Sequence, residues 1–488
     1  MEAVQPAVRA RVISDSAWIV AVWVGTVAYA VLLSLETIAD HNAFRTSVDL
    51  AFYDQLLWLL AHGHEPFSTV VSRPLLADHF QPGLLLLTPI YWLGLGVPGI
   101  LTVQAIGLGL AAPALFALAR ASGASAAVAS IPTFLWLACP WVATMSLFEF
   151  HPLAFAPVLV VLSVLAALRE RWWLLFLTAL LALSLKEDVA LMYIVLGLLL
   201  AFRGQRRVGA IVAFGSAVWL AVAYTVIRTL GGSYDAYGQR FAGDRGDSIP
   251  DAVGWMLSHP VQTASDIVDV SLAGVVLLLV STGCLALLAP SWMLLAAPTA
   301  LHNALSAYQP QHELVNHYHL GTLTGLFVAA AIGAGRVHDL GRYARLAVTG
   351  TLGVAVVLAL IGGLWAHRFS DTVLLEREPT RRLLEHIPPD APVAAARTLV
   401  PHLTHRAEVH TLPEPFIPLE WGSPLSREEY VERAERIRFV AYVEGDQIGT
   451  ILTGEDIDLV PDVRPTLLRE GFVVIARSGK VEIFERRP

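Results

Sequence analysis

The chain has 488 residues, 55% of them hydrophobic and 15% charged, with a mean hydropathy of +0.59 and a formal net charge of -8. Soluble domains carry nearer ~25% charged residues, so a water-soluble globular protein is excluded. A charge of -8 has little bearing on the partners of a membrane protein, and no nucleic-acid partner is expected. Both cysteines, Cys139 and Cys284, fall in apolar segments, which argues against a disulfide framework.

The polar start "MEAVQPAVRARVISDSAW" contains Arg9 and Arg11. No small-residue cleavage site follows the apolar stretch behind it, so it reads as a retained signal anchor. Apolar blocks near the ~20 residues that cross a bilayer core then recur. They lie at 17–36, 98–119, 124–145, 152–168, 172–185, 189–202, 209–229, 269–287, 289–301, 319–335 and 345–366, which makes about eleven spans. Arginine-rich short loops belong in the cytoplasm. Arg9 and Arg11 therefore put residues 1–16 inside, and Arg120, the Arg169–Arg171 pair, Arg203–Arg207 and Arg336–Arg345 mark further inside loops.

Within 174–202, "LLFLTALLALSLKEDVALMYIVLGLLLAF", both ends are flanked by arginine, so the segment crosses an even number of times. Two passages of about 14 residues reach only ~21 Å against a ~30 Å core. Lys186, Glu187 and Asp188 are thus expected at the tip of a short hairpin, facing outward but sunk in a polar cavity. A plain solvated turn is the alternative.

The same parity puts four other polar stretches outside. These are the long first loop 37–97, "SLFEFHP" with Glu149 and His151, the segment 230–268 with "GGSYDAYGQRFAGDRGD", and 302–318 with "HNALSAYQPQHELVNHY". Helical pieces of the first loop are expected along the membrane interface. From about 370 the character changes: 21 of the 41 acidic residues lie there. "RRLLEHI" and "YVERAERI" read as helices, and "PVAAA", "RFVAYV", "GFVVIA" and "VEIFER" as strands. Residues 370–488 therefore form a small α/β domain, outside the cytoplasm after an odd number of spans. The region 17–369 is the transmembrane part.

The blocks "VDLAFYDQLLWLLAHG", "DHFQPGLLLLTPIYWL", "FEFHPLAFAPVLVVLSVLA", "LSLKEDVALMYIVLGL" and "NALSAYQPQHELVNHYHLGTLTGL" resemble the bacterial multi-pass membrane family designated domain of unknown function 2079. More distantly, the whole plan resembles the GT-C glycosyltransferases. That resemblance implies a bacterial plasma-membrane enzyme that takes a sugar from a polyprenyl-phosphate donor and transfers it to an extracytoplasmic acceptor. It also implies an acidic base early in the first outer loop, and Asp49 in "SVDLAFYDQ" stands there, with Asp54 as the other candidate. The superfamily's adjacent acidic pair is absent, which leaves the base and any divalent metal, Mg²⁺ or Mn²⁺, open.

Such chemistry needs a carboxylate to accept a hydroxyl proton and a cation for the departing phosphate. Lys186 is one of only two lysines among 33 basic residues; it serves a phosphate or else pairs with Glu187 or Asp188. Glu187, Asp188, Tyr53, Arg240, His317 and His319 complete the candidate substrate contacts. Asp78 with His79 and Glu149 with His151 are candidate metal ligands, although lone histidines at a membrane edge more often serve structure. A transporter or flippase using the same outward cavity is the competing reading; no internal repeat of the kind common in transporters supports it.

Overall fold

A computed structural model describes residues 14–232, 245–246, 249–341, 349–351, 353–354, 356–357, 374–417, 425–446 and 462–487. Arg9, Arg11, Arg240 and most of the expected span 345–366 lie outside the described residues.

Helix α1 (Asp15–Asn42) is capped by the Ser14 hydroxyl, which accepts from the Ala17 amide. After it come α2 (Val48–Ala61), the short α3 (Thr88–Trp92) and α4 (Gly96–Ala121). Helices α5 (Ala126–Ala138) and α6 (Pro140–Phe148) meet at a 40° bend. Proline at 140 supplies no amide proton and drives Cys139 into extended backbone. Then follow α7 (Ala156–Leu168), α8 (Trp172–Leu183), α9 (Val189–Phe202) and α10 (Arg206–Thr229). Among the described residues, α1, α4 and α10 are long and apolar enough to cross a membrane, and five spans result if each bent helix pair counts as one. The expected spans at 152–168, 172–185 and 189–202 are helices of 13, 12 and 14 residues. At 1.5 Å per residue they reach roughly 18–21 Å.

Helices α8 and α9 fold back on each other. Thr178 Oγ1 in α8 and Tyr193 Oη in α9 each lie 2.7 Å from Ser163 Oγ in α7. In one straight helix those two residues would be about 22 Å apart. Lys186–Asp188 therefore form the tip of a hairpin.

Helix α2 departs from the expectation of an interfacial helix. Ten of its 14 residues are buried, on every side. A helix that is apolar all round belongs in a core, and α2 lies between the membrane helices and a C-terminal sheet. That sheet has strand order β4-β3-β5-β7-β6, with β3 (Val393–Ala395), β4 (Val409–Thr411), β5 (Phe439–Val443), β6 (Phe472–Ser478) and β7 (Val481–Arg486); β1 (Phe67–Ser68) and β2 (Arg73–Pro74) form a small hairpin in the first loop. Strand β3 is parallel to β4 and β5, while β7 is antiparallel to β5 and β6. Alternate residues divide between the faces. Val393, Ala395, Phe439, Ala441 and Ile483 join Leu50, Leu56 and Phe150 in one core. Ala394, Val440, Tyr442 and Phe484 pack on the other face with Leu467 of the helix Arg464–Arg469.

Candidate functional site

Asp49 stands in the first turn of α2, where the free amide groups of a helix start favour a carboxylate. A second carboxylate joins it from the loop after α6. Glu149 Oε2 accepts from the Leu50 amide at 2.6 Å and so caps the same helix. Gln104, a wholly buried amide in the middle of α4, holds that loop: its Nε2 donates to the Glu149 carbonyl at 2.8 Å, and its Oε1 accepts from the His151 amide at 2.7 Å. His151 Nε2 is then 3.5 Å from Asp49 Oδ2, and the His151 ring stacks on His317 with centroids 4.0 Å apart. The side chain of Asp49 is 48% exposed, whereas Glu149 is buried. Burial, then the Asp49 charge, pushes the Glu149 carboxyl well above its ordinary range.

The hairpin tip meets the first loop. His79 Nδ1 is 2.8 Å from Glu187 Oε1, and Glu187 Oε2 accepts from the Phe80 amide at 2.9 Å. Close by, the Gly83 amide donates to the Ser184 carbonyl at 2.8 Å. A Cβ on Gly83 would come within 2.9 Å of that carbonyl oxygen, so glycine permits the approach. Lys186 Nζ lies 3.2 Å from Asp188 Oδ2. Burial would raise the Glu187 carboxyl, but His79 and then Lys186 hold it below the usual range.

Two residues join these halves. Tyr53 accepts on its hydroxyl from Gln81 Nε2 at 3.1 Å, and its ring meets those of Phe150 and His151 edge-on, at 5.5 and 5.9 Å. His317, whose Nδ1 is buried without a hydrogen-bond partner among the described residues, is held well below its normal pKa by burial and then by the charges of His151, Lys186 and His79. Asp49, Glu149, His151, His317, Tyr53, His79, Glu187 and Lys186 thus belong to one polar cluster.

Other expected residues fall elsewhere. Asp54 is fully buried and engaged: Tyr91 Oη donates at 2.5 Å, His405 Nε2 lies 3.1 Å away, and Thr404 Oγ1 donates to its second oxygen. His319 Nδ1 meets Asn303 Nδ2 at 3.3 Å in a separate small crevice shared with His312 and Thr322. Asp78 stands at the cluster's edge: Arg73 binds it, and its Oδ2 lies 3.8 Å from His79 Nε2. Among the described residues no three His, Cys, Asp or Glu side chains are arranged to hold a metal ion. Gln81 and Gln104 escaped sequence reasoning. A lone amide inside an apolar span such as 98–119 is the signal that marks Gln104, because a buried amide must find partners.

Comparison with known proteins defines the class. The chain belongs to the predicted membrane protein family DUF2079, whose profile matches residues 41–432. No curated protein matches the sequence. In structure the chain is similar to ArnT from Cupriavidus metallidurans, a GT-C glycosyltransferase whose crystal structure is of the form bound to undecaprenyl phosphate. The TM-score is 0.55 at 12% identity, over 96% of this chain and 98% of that one. The protein therefore has a polytopic GT-C-like membrane fold with a small C-terminal sheet.

Proposed function

We propose that the protein is a membrane glycosyltransferase that moves a sugar from a polyprenyl-phosphate donor to a hydroxyl outside the cytoplasm, with Asp49 as general base. One observation carries the reading. On a GT-C-like fold, a half-exposed carboxylate and a half-buried lysine belong to one polar cluster.

The acceptor oxygen forms a bond to the anomeric carbon as the bond from that carbon to the donor phosphate oxygen breaks. Asp49 takes the hydroxyl proton, and the electron pair leaves with the lipid phosphate, so the configuration inverts. His151, 3.5 Å from Asp49, orients that carboxylate. Glu149, pushed toward its protonated form by burial and by Asp49, caps the helix start that carries Asp49. Lys186 meets the departing phosphate, an ammonium shared until then with Asp188. Eleven membrane crossings, a cytoplasmic N-terminus and an extracytoplasmic α/β domain over 370–488 complete the proposal in a bacterial plasma membrane.

The test is transfer from a radiolabelled polyprenyl-phosphate sugar in purified membranes, with protein yield and melting temperature followed in parallel. Asp49→Asn keeps the size and removes the proton acceptor. Loss of a general base lowers rate ~10²–10⁴-fold, with melting unchanged at this half-exposed side chain. Full activity of Asp49→Asn removes Asp49 from the mechanism.

A further inference from the structure

The chain leaving the C-terminal sheet carries a cation held by a buried carboxylate. Strand β3 ends at Ala395, and the chain leaves the sheet with the Ala396 amide bonded to the Ala441 carbonyl at 2.7 Å. Asp446, itself buried, clamps the next two residues. Its Oδ1 accepts from Arg397 Nε at 3.1 Å, while its Oδ2 accepts from the Thr398 amide at 2.9 Å and from the Thr398 hydroxyl. Beneath them, Ala396, Leu399 and Val400 share a core with Leu50 and Phe150, the chain neighbours of Asp49 and Glu149. The guanidinium is therefore fixed at its Nε edge by a buried carboxylate. Among the described residues its two terminal amino groups have no acceptor, although the side chain is only 19% exposed. Burial and then Asp49 raise the Glu149 carboxyl, and Arg397 acts on it in the opposite sense, so this cation is felt at Glu149.

A cation held solely as the partner of Asp446 would gain nothing from turning four N–H bonds away from protein acceptors. A planar fork with both outer nitrogens unclaimed matches the oxygens of a phosphate. We propose that Arg397, aimed by Asp446, binds the phosphate of the lipid-linked donor, so that the C-terminal sheet completes the substrate site. This rests on the polyprenyl-phosphate reading above and adds to it a phosphate contact from outside the membrane helices.

The probes are undecaprenyl phosphate and undecaprenol, titrated separately into the purified full-length protein in detergent, with affinity read from ligand-induced stabilisation. The wild type is expected to bind the phosphate more tightly than the alcohol. Arg397→Gln should lose roughly 10-fold or more of the affinity for undecaprenyl phosphate, as for a charge-assisted hydrogen bond, and none of that for undecaprenol. Asp446→Asn should weaken phosphate binding less. Arg397→Lys keeps the charge but not the fork, and serves if Arg397→Gln fails to fold; it should weaken phosphate binding several-fold. Undecaprenyl phosphate bound by Arg397→Gln as tightly as by the wild type, or by Arg397→Lys where the glutamine variant does not fold, overturns the assignment of Arg397 and leaves the glycosyltransferase reading intact. A wild type that does not discriminate the phosphate from the alcohol overturns both.

Discussion

Asp49 and Asp54 lie five residues apart on one helix, a rotation of about 140°, and their surroundings differ as that rotation requires. Asp49 faces His151; Asp54 faces Tyr91, Thr404 and His405 and ties the first loop to the C-terminal sheet. Removing the Asp54 carboxylate leaves the buried Tyr91 hydroxyl without its acceptor, at ~1–3 kcal/mol, and leaves the Thr404 hydroxyl only a long bond to the Pro401 carbonyl at 3.4 Å. Asp54→Ala should therefore lower the melting temperature and the yield together. A variant that melts as the wild type does but has lost transfer would return Asp54 to candidacy as the base. The acids, His151, His79 and Lys186 were legible in the sequence because polar residues at the ends of apolar segments stand out. Their partition was not. Which face of α2 an aspartate takes depends on strands some 350 residues later in the chain, and no local pattern carries that. The pairing of Asp49 with Glu149 across about a hundred residues was hidden for the same reason.

At the scale of elements, α9 and α10 pack through glycine. A Cβ added to Gly197 would lie 2.4 Å from the Ala213 amide nitrogen and 2.6 Å from the Gly209 carbonyl oxygen. Both are backbone atoms, which cannot swing aside, and small residues at such crossings let helices approach closely. Gly197→Val should lower thermal stability in detergent by about 1–3 kcal/mol or more. Gly215→Val, in the same α10 but with no atom within 4 Å of its Cβ, should have little effect. Equal stability of the two variants would show that the crossing is looser than described. In the C-terminal part, Glu408 locks the start of β4 to the end of the helix Arg427–Arg436. Arg436 donates to its two oxygens at 3.1 and 3.0 Å, and His410 lies 3.2 Å away. Burial would raise this carboxyl, yet those bonds hold its pKa at about 2, below the ~4.3 of an unfolded glutamate. A lowered carboxyl contributes stability that is complete above the unfolded value and lost as pH falls through the folded one. The melting curves of wild type and Glu408→Gln should stay apart above about pH 5 and converge toward pH 2; a gap independent of pH would show that the pair adds no stability. The sequence foreshadowed β3, β5, β6 and β7 but not β4, whose three residues "VHT" carry too little alternation to be seen.

At the scale of the whole molecule, the remaining prediction is orientation. The hairpin α8–α9 is closed at Lys186–Asp188, since Thr178 and Tyr193 both reach Ser163. Its open end carries Arg169 and Arg171 on one side and Arg203, Arg206 and Arg207 on the other. Five arginines at one end and none at the other polarise the hairpin, because short arginine-rich loops are retained in the cytoplasm. The tip is joined to His79 and Phe80 of the first loop, and that loop to the C-terminal sheet, where the Val409 amide donates to Thr69 Oγ1 at 2.8 Å. Tip, first loop and sheet must therefore lie on the same side, whichever side that is. A reporter active only outside the cytoplasm, fused after Pro488, should be active, and a cysteine introduced by Lys186→Cys should react with an impermeant thiol reagent in intact cells. A reporter inserted after Gly204 should register as cytoplasmic. Opposite answers from Lys186 and Pro488 would break the link through the first loop. Reversal of all three would leave the fold intact while turning the site to the cytoplasm, where an extracytoplasmic acceptor could not reach it.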